Sequence, residues 1–508
     1  PFILMYHDLF MAERPERWGS RMGFILATIG SAIGVSNVWR FSYLAYKNGG
    51  GAFLLPYAIA LLTVGIPLLI VEQSLGHEMR GSAPAVFRKI KQKFEVFGWW
   101  PVVILVFGLN LYYAVILSDC INYFALSATL GWGDDPNAYF FHDFLHASHD
   151  PWVIGLPVLA IVLGLLIIWV LNWVIIRSGL RGGVERVCKI LIPLLMVLAS
   201  ILVIRGVTLP GSWEGIRWYV TPHFDALFNP LVWIDAFSQV FFSLSLGMGV
   251  IMAYSKYLPK KSNLFGNALI VGFADTFFSV FIGIAVFGIL GNMMHTTGLP
   301  MEEVVEGGIG LAFVVFPQAF NTLPLLPQIV AALFFLTLIA AGLSSLISMI
   351  VAFLSGIIDK FKVNQGKWIN LLCIIGFLGG IIFTTESGIM WLDIVDHFLL
   401  GYGLVLMGLL EIVIITWVYG EHRIVQHVNA MSAHRLGATF SRLIKYVTPG
   451  MLGVVLLFSV YNEIVIPYGG YSRSATMVIG FGWLLATLLI AIGLSRLKWR
   501  TDDSPQDS

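Results

Sequence analysis

Twelve long apolar runs, joined by loops that are basic at every second crossing, leave this chain few ways to fold. The runs cover about 19–46, 52–79, 98–128, 153–175, 187–206, 231–257, 266–292, 326–358, 368–384, 391–419, 446–466 and 475–495. Each is too long for a strand and long enough to cross a bilayer as a helix, which takes about 20 residues. Several exceed that length, so they must tilt, kink or project. Only 12% of the 508 residues are charged and 58% are hydrophobic, whereas an average soluble protein is about a quarter charged. So apolar a chain cannot coat itself with polar groups, which argues against a water-soluble enzyme and against a disordered chain. Composition therefore makes the lipid bilayer a partner. A net charge of +1 implies no nucleic acid.

Twenty-five of the 30 basic residues lie in 14–21, 80–93, 177–189, 256–261, 360–367, 423–445 and 496–500. Short loops rich in Lys and Arg stay in the cytoplasm. The expected arrangement is a multi-pass protein of the plasma (inner) membrane with both termini cytoplasmic. The intervening loops are acidic: Asp134, Asp135, Asp143 and Asp150 in one, Glu302, Glu303 and Glu306 in another. The second is apolar enough to hold outer loop helices over about 301–322. His142 and His146 have a metal-like spacing, but beside His149 in an acidic loop they read better as a solvated face. Cys120, Cys188 and Cys373 lie far apart in apolar runs, as buried inert thiols do. Residues 1–13 are expected to be a tail in which Met11 could be the native start, without an evident signal peptide. Residues 498–508 form a second tail.

Two runs carry small and polar residues at mid-depth: Gly30-Ser31-Ala32-Ile33-Gly34-Val35-Ser36-Asn37 in the first, and Phe242-Ser243-Leu244-Ser245-Leu246-Gly247-Met248-Gly249 in the sixth. Each Gly costs a helix about 1 kcal/mol relative to Ala. Such clusters occur where backbone unwinds around a cavity, freeing carbonyls and helix ends for a ligand. They also occur where helices pack closely. Composition alone leaves both readings open.

The first of these stretches, continued through Val38-Trp39-Arg40-Phe41, Asn48 to Phe53, and Pro56-Tyr57, resembles the first-helix signature of the neurotransmitter:sodium symporters. Gln239 to Gly247, Ala341-Gly342-Leu343-Ser344-Ser345, and Gly179 to Pro193 resemble that family too. The resemblance implies an all-α membrane protein of twelve helices. Spans 1–5 (residues 14–206) and 6–10 (207–420) would be inverted repeats with broken first and sixth helices, followed by spans 11–12 (421–497). It implies a carrier, not an enzyme, that couples uptake of a small amino compound to Na+ and works as a monomer or dimer.

By the same resemblance, one sodium site takes Ala32, Asn37, Ser243 and Asp275, and a second takes Gly30, Ile33, Ala341, Ser344 and Ser345. Substrate would meet Ala32, Ser36, Leu109, Tyr113, Phe242, Ser245, Met248, Ser345 and Met349, with Tyr113 holding a carboxylate. Gly34, where monoamine carriers have Asp, implies a substrate that brings its own acid. Ser36 stands where Gly is usual, so a β- or γ-amino acid or a taurine-like compound stays open beside a neutral α-amino acid. Tyr57, Gln239, Ser243 and Ser279 match a chloride site. Asp275, where many relatives have Asn, lies one helical turn from Ser279. It is expected to supply the negative charge in place of Cl-; the alternative is a protonated Asp275 with chloride still bound. Arg40 and Asp396 match the outer gate. Trp18, Tyr254, Asp359 and an N-terminal arginine, Arg14 or Arg17, match the inner one. Glu72 and Glu411 read as anchors for helix backbones. A membrane enzyme would want clustered His and Glu at membrane depth, and a channel a filter repeat; neither pattern occurs. A non-transporting sensor on the same fold remains the rival.

Overall fold

The structure, a computed structural model, describes residues 17–305, 307–432, 434–465 and 468–500. The expected arginine Arg14, the acidic Glu306 and most of both tails lie outside these. Among the described residues, ten helices are long and apolar enough to cross a membrane, and a bent pair makes an eleventh candidate. The pair is α1 (Arg21–Ala32) and α2 (Val35–Lys47), which meet at 63°. The others used below are α3 (Gly51–Met79), α4 (Gln92–Leu126), α5 (Leu159–Arg177) and α6 (Leu180–Val207). The sixth apolar run is split into α7 (Pro230–Ser243) and α8 (Val250–Ser255). Then come α9 (Leu264–Thr297), α10 (Pro327–Phe361), α11 (Gln365–Thr384) and α12 (Gly388–Met431), with α13 (Thr448–Val465) and α14 (Gly482–Arg496) last. Among the described residues no strand occurs.

Element boundaries follow the apolar runs with two informative differences. α4 begins at Gln92, several residues before the apolar run, because Glu95 is buried in contact with other helices. α12 runs on through Met431 into the basic loop; its last stretch, Glu421–Met431, keeps Ile424 and Val428 buried one turn apart. The outer loop over 301–322 holds the short helices Met301–Val304 and Phe316–Asn321, the latter preceded by a π turn.

The breaks have local causes. α1 stops where Ile33 and Gly34 turn extended, and Asn37 then caps the restart by accepting from the Gly34 N–H at 2.8 Å. Between α7 and α8, Ser245, Gly247 and Gly249 have φ of 53°, 69° and 72°, a left-handed geometry that glycine tolerates and serine adopts rarely. Glu72 of α3 takes the Gly247 N–H at 2.8 Å, so this carboxylate anchors unwound backbone as expected of it. Glu411 is buried too, and its Oε1 has no hydrogen-bond partner.

α3 and α8 lie almost in contact at Gly76, where an added Cβ would stand 2.3 Å from the Met252 carbonyl oxygen. Backbone cannot yield as a side chain does. Gly76→Ala is expected to cost about 1–3 kcal/mol through overpacking, read as a lower midpoint in thermal unfolding of the detergent-solubilised protein.

Candidate functional site

The site lies where the two breaks face each other across α4 and α10. All nine residues named above as substrate-facing line one cavity of about 120 Å³. Ser31, Gly34, Tyr112 and Ile116 line it too, as do Arg40 and Asp396. Helical spacing accounts for the α4 set, since Leu109, Tyr113 and Ile116 recur at one face. Tyr113 Oη accepts from the Val35 N–H at the restart of the broken helix, 3.2 Å away, and the Ser345 hydroxyl is its neighbour. Gly34 is tightly fitted: a Cβ there would stand 3.1 Å from Tyr113 Oη and 3.2 Å from Ser345 Oγ. At one edge three hydroxyls meet. Ser245 donates to the Ser31 carbonyl at 2.9 Å, and Ser348 Oγ lies 3.1 Å from Ser31 Oγ. Ser31 and Ser348 were not singled out in the sequence, where a membrane serine mostly bonds its own helix.

Two clusters of oxygens flank the cavity. In the first, Ser345 Oγ lies 3.3 Å from the carbonyl oxygens of Gly30 and Ile33 and 3.5 Å from those of Ser31 and Ala341. Ser344 Oγ is 2.9 Å from the Ala341 oxygen. One hydroxyl proton serves at most one of the four carbonyls around Ser345. The break after α1 is what leaves the first three without helix partners. An octahedral shell of oxygens about 2.4 Å from a hard cation has edges of about 3.4 Å, so the spacing fits such an ion. The residues are those of the second sodium site named above, with Ser31 in addition.

The second cluster centres on Asp275, fully buried in α9. Ser243 Oγ lies 2.8 Å from both of its carboxylate oxygens, and Asn37 Nδ2 lies 2.7 Å from Oδ1. The same amide nitrogen is 2.9 Å from Ser243 Oγ and 2.8 Å from Ser279 Oγ. The structure thus brings Asn37, Ser243, Asp275 and Ser279 together. It turns the amide of Asn37, not its oxygen, toward the carboxylate, because that oxygen is engaged by the Gly34 N–H. Ligation of a cation here by Asn37 would require the amide to turn over. Ala32 lines the cavity without a described contact to this group. Gln239 is fully buried nearby in sequence on α7, and neither its Nε2 nor its Oε1 has a partner. Tyr57 is buried on α3, edge-on to Phe41.

The gate residues are paired differently from the expected scheme. Asp396 accepts from Tyr112 Oη at 2.5 Å, while the Arg40 guanidinium lies 4.9 Å over the Phe242 ring. Both line the cavity, yet they form no ion pair with each other. A phenol contacts the carboxylate and an aromatic face the arginine, while the guanidinium still acts on Asp396 at longer range. At the basic end, Asp359 pairs with Lys256 at 2.8 Å and accepts from the Ser82 N–H at 2.7 Å. Neither Arg17 nor another arginine takes that place in the described structure. Lys256 wins because it follows α8 directly and also reaches Ser355 Oγ, one turn before Asp359. Trp18 Nε1 donates to the Tyr254 carbonyl at 2.8 Å. Glu185 of α6 holds the approach to α1 through the Gly19 N–H at 2.6 Å and Ser20 Oγ at 3.1 Å.

His142 and His149, but not His146, line a larger cavity of about 530 Å³ at the acidic end. Among the described residues, no group of three His, Cys, Asp or Glu side chains is placed to hold a metal ion. The three cysteines are buried and free.

Residues 15–147 and 133–501 match the sequence profile of the sodium:neurotransmitter symporter family. This chain belongs to that family. It is 43% identical over 486 residues to an uncharacterized sodium-dependent transporter of Methanocaldococcus jannaschii, covering 96% of this chain and 98% of that one. It is 31% identical over 508 residues to the human sodium- and chloride-dependent GABA transporter 2, covering 92% of this chain and 84% of the relative. The bovine form of that transporter is also 31% identical, over 514 residues. As a member of the symporter family the chain is a sodium-dependent membrane transporter, not an enzyme.

Proposed function

We propose that this symporter imports a small zwitterionic substrate, foremost a neutral amino acid, by alternating access across the plasma membrane, with its basic end and both termini in the cytoplasm. The observation that carries the reading is the cavity between two helix breaks with oxygen clusters on either side. Sodium at the Ser345 cluster would tie α1 to α10. A second ion beside Asp275 would tie the restart of the broken helix to α9. Substrate then completes the site, its carboxylate meeting the Tyr113 proton and its apolar part Leu109, Met248 and Met349. Asp396 and Arg40 close over it, and release follows when the Lys256–Asp359 pair and the Trp18–Tyr254 contact part. Hydration competes with such pairs, so they can open and close.

Chloride independence is part of this proposal. Asp275 already supplies a negative charge beside Ser279, where relatives that need chloride would place the ion. A second reading keeps chloride and a γ-amino acid. Gln239 favours it, since its buried amide nitrogen has a hydrogen-bond donor to spare, and so do the names of the GABA transporters.

Proteoliposomes with an inward sodium gradient test both. Labelled α-, β- and γ-amino acids and taurine are offered in chloride and in gluconate. Accumulation of an α-amino acid that needs sodium and survives gluconate is the expected result. Collapse in gluconate moves the decision to the second reading, and sodium-dependent binding without accumulation would identify a sensor. Tyr113→Phe is expected to weaken uptake of a carboxylated substrate about 10- to 100-fold, as for a lost hydrogen bond to a charged group. That loss should appear in the substrate's KM.

A further inference from the structure

α3 ends at the basic end with two residues that grip a neighbouring backbone. His77 is buried and its Nε2 lies 2.7 Å from the Pro259 carbonyl oxygen. Arg80 donates to the Lys256 carbonyl at 3.0 Å and to the Leu258 carbonyl. Three carbonyls of the stretch Lys256–Pro259 are therefore held by α3, and the first belongs to the lysine that pairs with Asp359. The contact to Pro259 sets the tautomer, because a carbonyl accepts only from an N–H. His77 thus carries its proton on Nε2, and its Nδ1 is an acceptor. Facing that Nδ1, at 2.9 Å, is Nε2 of His427, from the last stretch of α12. His427 must be the donor.

We propose that the His77–His427 pair is a proton-operated latch that fastens the end of α12 to the clamp on Lys256–Pro259. The bond survives one added proton, which can sit on Nδ1 of His427 without disturbing the N–H that points at His77. A second proton must go to Nδ1 of His77, and two N–H groups then oppose each other. The surroundings offer no relief. Arg80 faces both imidazoles, with a guanidinium nitrogen 3.2 Å from His77 Nε2. Arg17 faces Arg80 in turn. Glu78 is turned instead toward Tyr419 and Arg423 of α12, and Lys256 is engaged by Asp359. Acidification therefore adds positive charge to a cluster that is already cationic, and the latch opens. A histidine free of such neighbours titrates near pH 6.5; with both rings shielded from water and facing Arg80, the doubly charged pair forms only well below that. His77 still donates to Pro259 when protonated, so α12 leaves while the direct clamp remains.

The test is hydrogen exchange of the full-length protein in detergent from pH 3.5 to 8.0, corrected for the intrinsic pH dependence of exchange. Segment 421–431 is expected to lose protection at least tenfold as the pH falls from 5.5 to 3.5, while the buried part of α10 stays unchanged. His427→Gln keeps an N–H for His77 Nδ1 but does not titrate in this range, so its protection should be flat with pH. A wild type without the transition would overturn the proposal, as would a Gln variant that keeps it. If the variant does not fold, nitrogen-15 spectra of histidine-labelled wild type decide. Loss of the hydrogen bond between the two imidazoles at the same midpoint supports the latch, and loss at a different pH overturns it. Neither readout depends on transport or on the identity of its substrate.

Discussion

Asp275→Ala abolishes sodium-driven accumulation, with apparent sodium affinity falling more than about 100-fold. The expectation follows from what surrounds the carboxylate. It is fully buried, and its described partners, Ser243 and Asn37, are neutral. Among the described residues no Lys, Arg or His contacts it. An ionised carboxylate at that depth needs a cation, and on the proposed mechanism the transported ion provides it. Removing one partner from a buried charge pair costs about 3–5 kcal/mol, or about two to nearly four orders of magnitude in binding. Asp275→Asn separates charge from shape. It keeps an oxygen and the volume but loses the negative charge, so its residual uptake should become dependent on chloride while the wild type is indifferent. The measurement is labelled-substrate uptake in chloride and gluconate, with a sodium titration for each protein. A wild type that stops in gluconate, or an Asn variant no more sensitive to chloride than the wild type, would refute the role given to Asp275.

Glu95→Ala is expected to lower stability by about 3–5 kcal/mol without involving the transport site. Lys360 of α10 is completely buried, and Glu95 of α4 lies 2.5 Å from its ammonium group. The same carboxylate accepts from the indole nitrogens of Trp99 and Trp499 at 3.0 and 2.9 Å and from Arg88 at 3.0 Å. The lysine also donates to the Leu494 and Ser495 carbonyls at the end of α14. Truncating Glu95 strands a buried ammonium beside carbonyl dipoles alone and leaves two indole donors unmatched. Glu95→Gln, which still offers an acceptor oxygen, should lose less. Asp235→Ala is the control, because Lys47 opposite it is nearly half exposed and such pairs contribute about 0–1 kcal/mol. Thermal midpoints followed by intrinsic tryptophan fluorescence compare all three. Equal midpoints for the Ala variants at 95 and 235 would contradict the account.

How far each feature could be read in advance depends on whether its cause is local. The break after Ala32 is written into Ile33-Gly34 and the cap at Asn37, all within five residues. The second break is written into a run where Ser245, Gly247 and Gly249 alternate. The cavity lining was reachable for a related reason. Helical spacing puts Leu109 and Tyr113 on one face, and the resemblance to a known family brings that face together with Phe242 and Met349.

The departures at the site and its gates are matters of pairing. Asp359 finds Lys256, 103 residues away, although the resemblance pointed to an N-terminal arginine. Asp396 takes the Tyr112 phenol instead of the Arg40 guanidinium. Asn37 gives its oxygen to Gly34 and presents its nitrogen to Asp275. The first two choices leave no periodic trace, because each depends on the rotation of one helix against another and on which of several donors arrives within 3 Å; the third follows from the local cap at Gly34, whose consequence shows only once α9 brings Asp275 against it.

The sequence by itself therefore determined the membrane class, the number and course of the apolar runs, the sidedness expected from charge and two stretches where a break could fall, since hydropathy, loop charge and glycine content act over a few residues. Only the tertiary structure decided which charges and hydroxyls meet: Lys360 with Glu95 across 265 residues, Ser345 with the carbonyls of α1, His77 with His427 across 350. Burial makes each of those meetings strong, and burial is a property of the assembled helices.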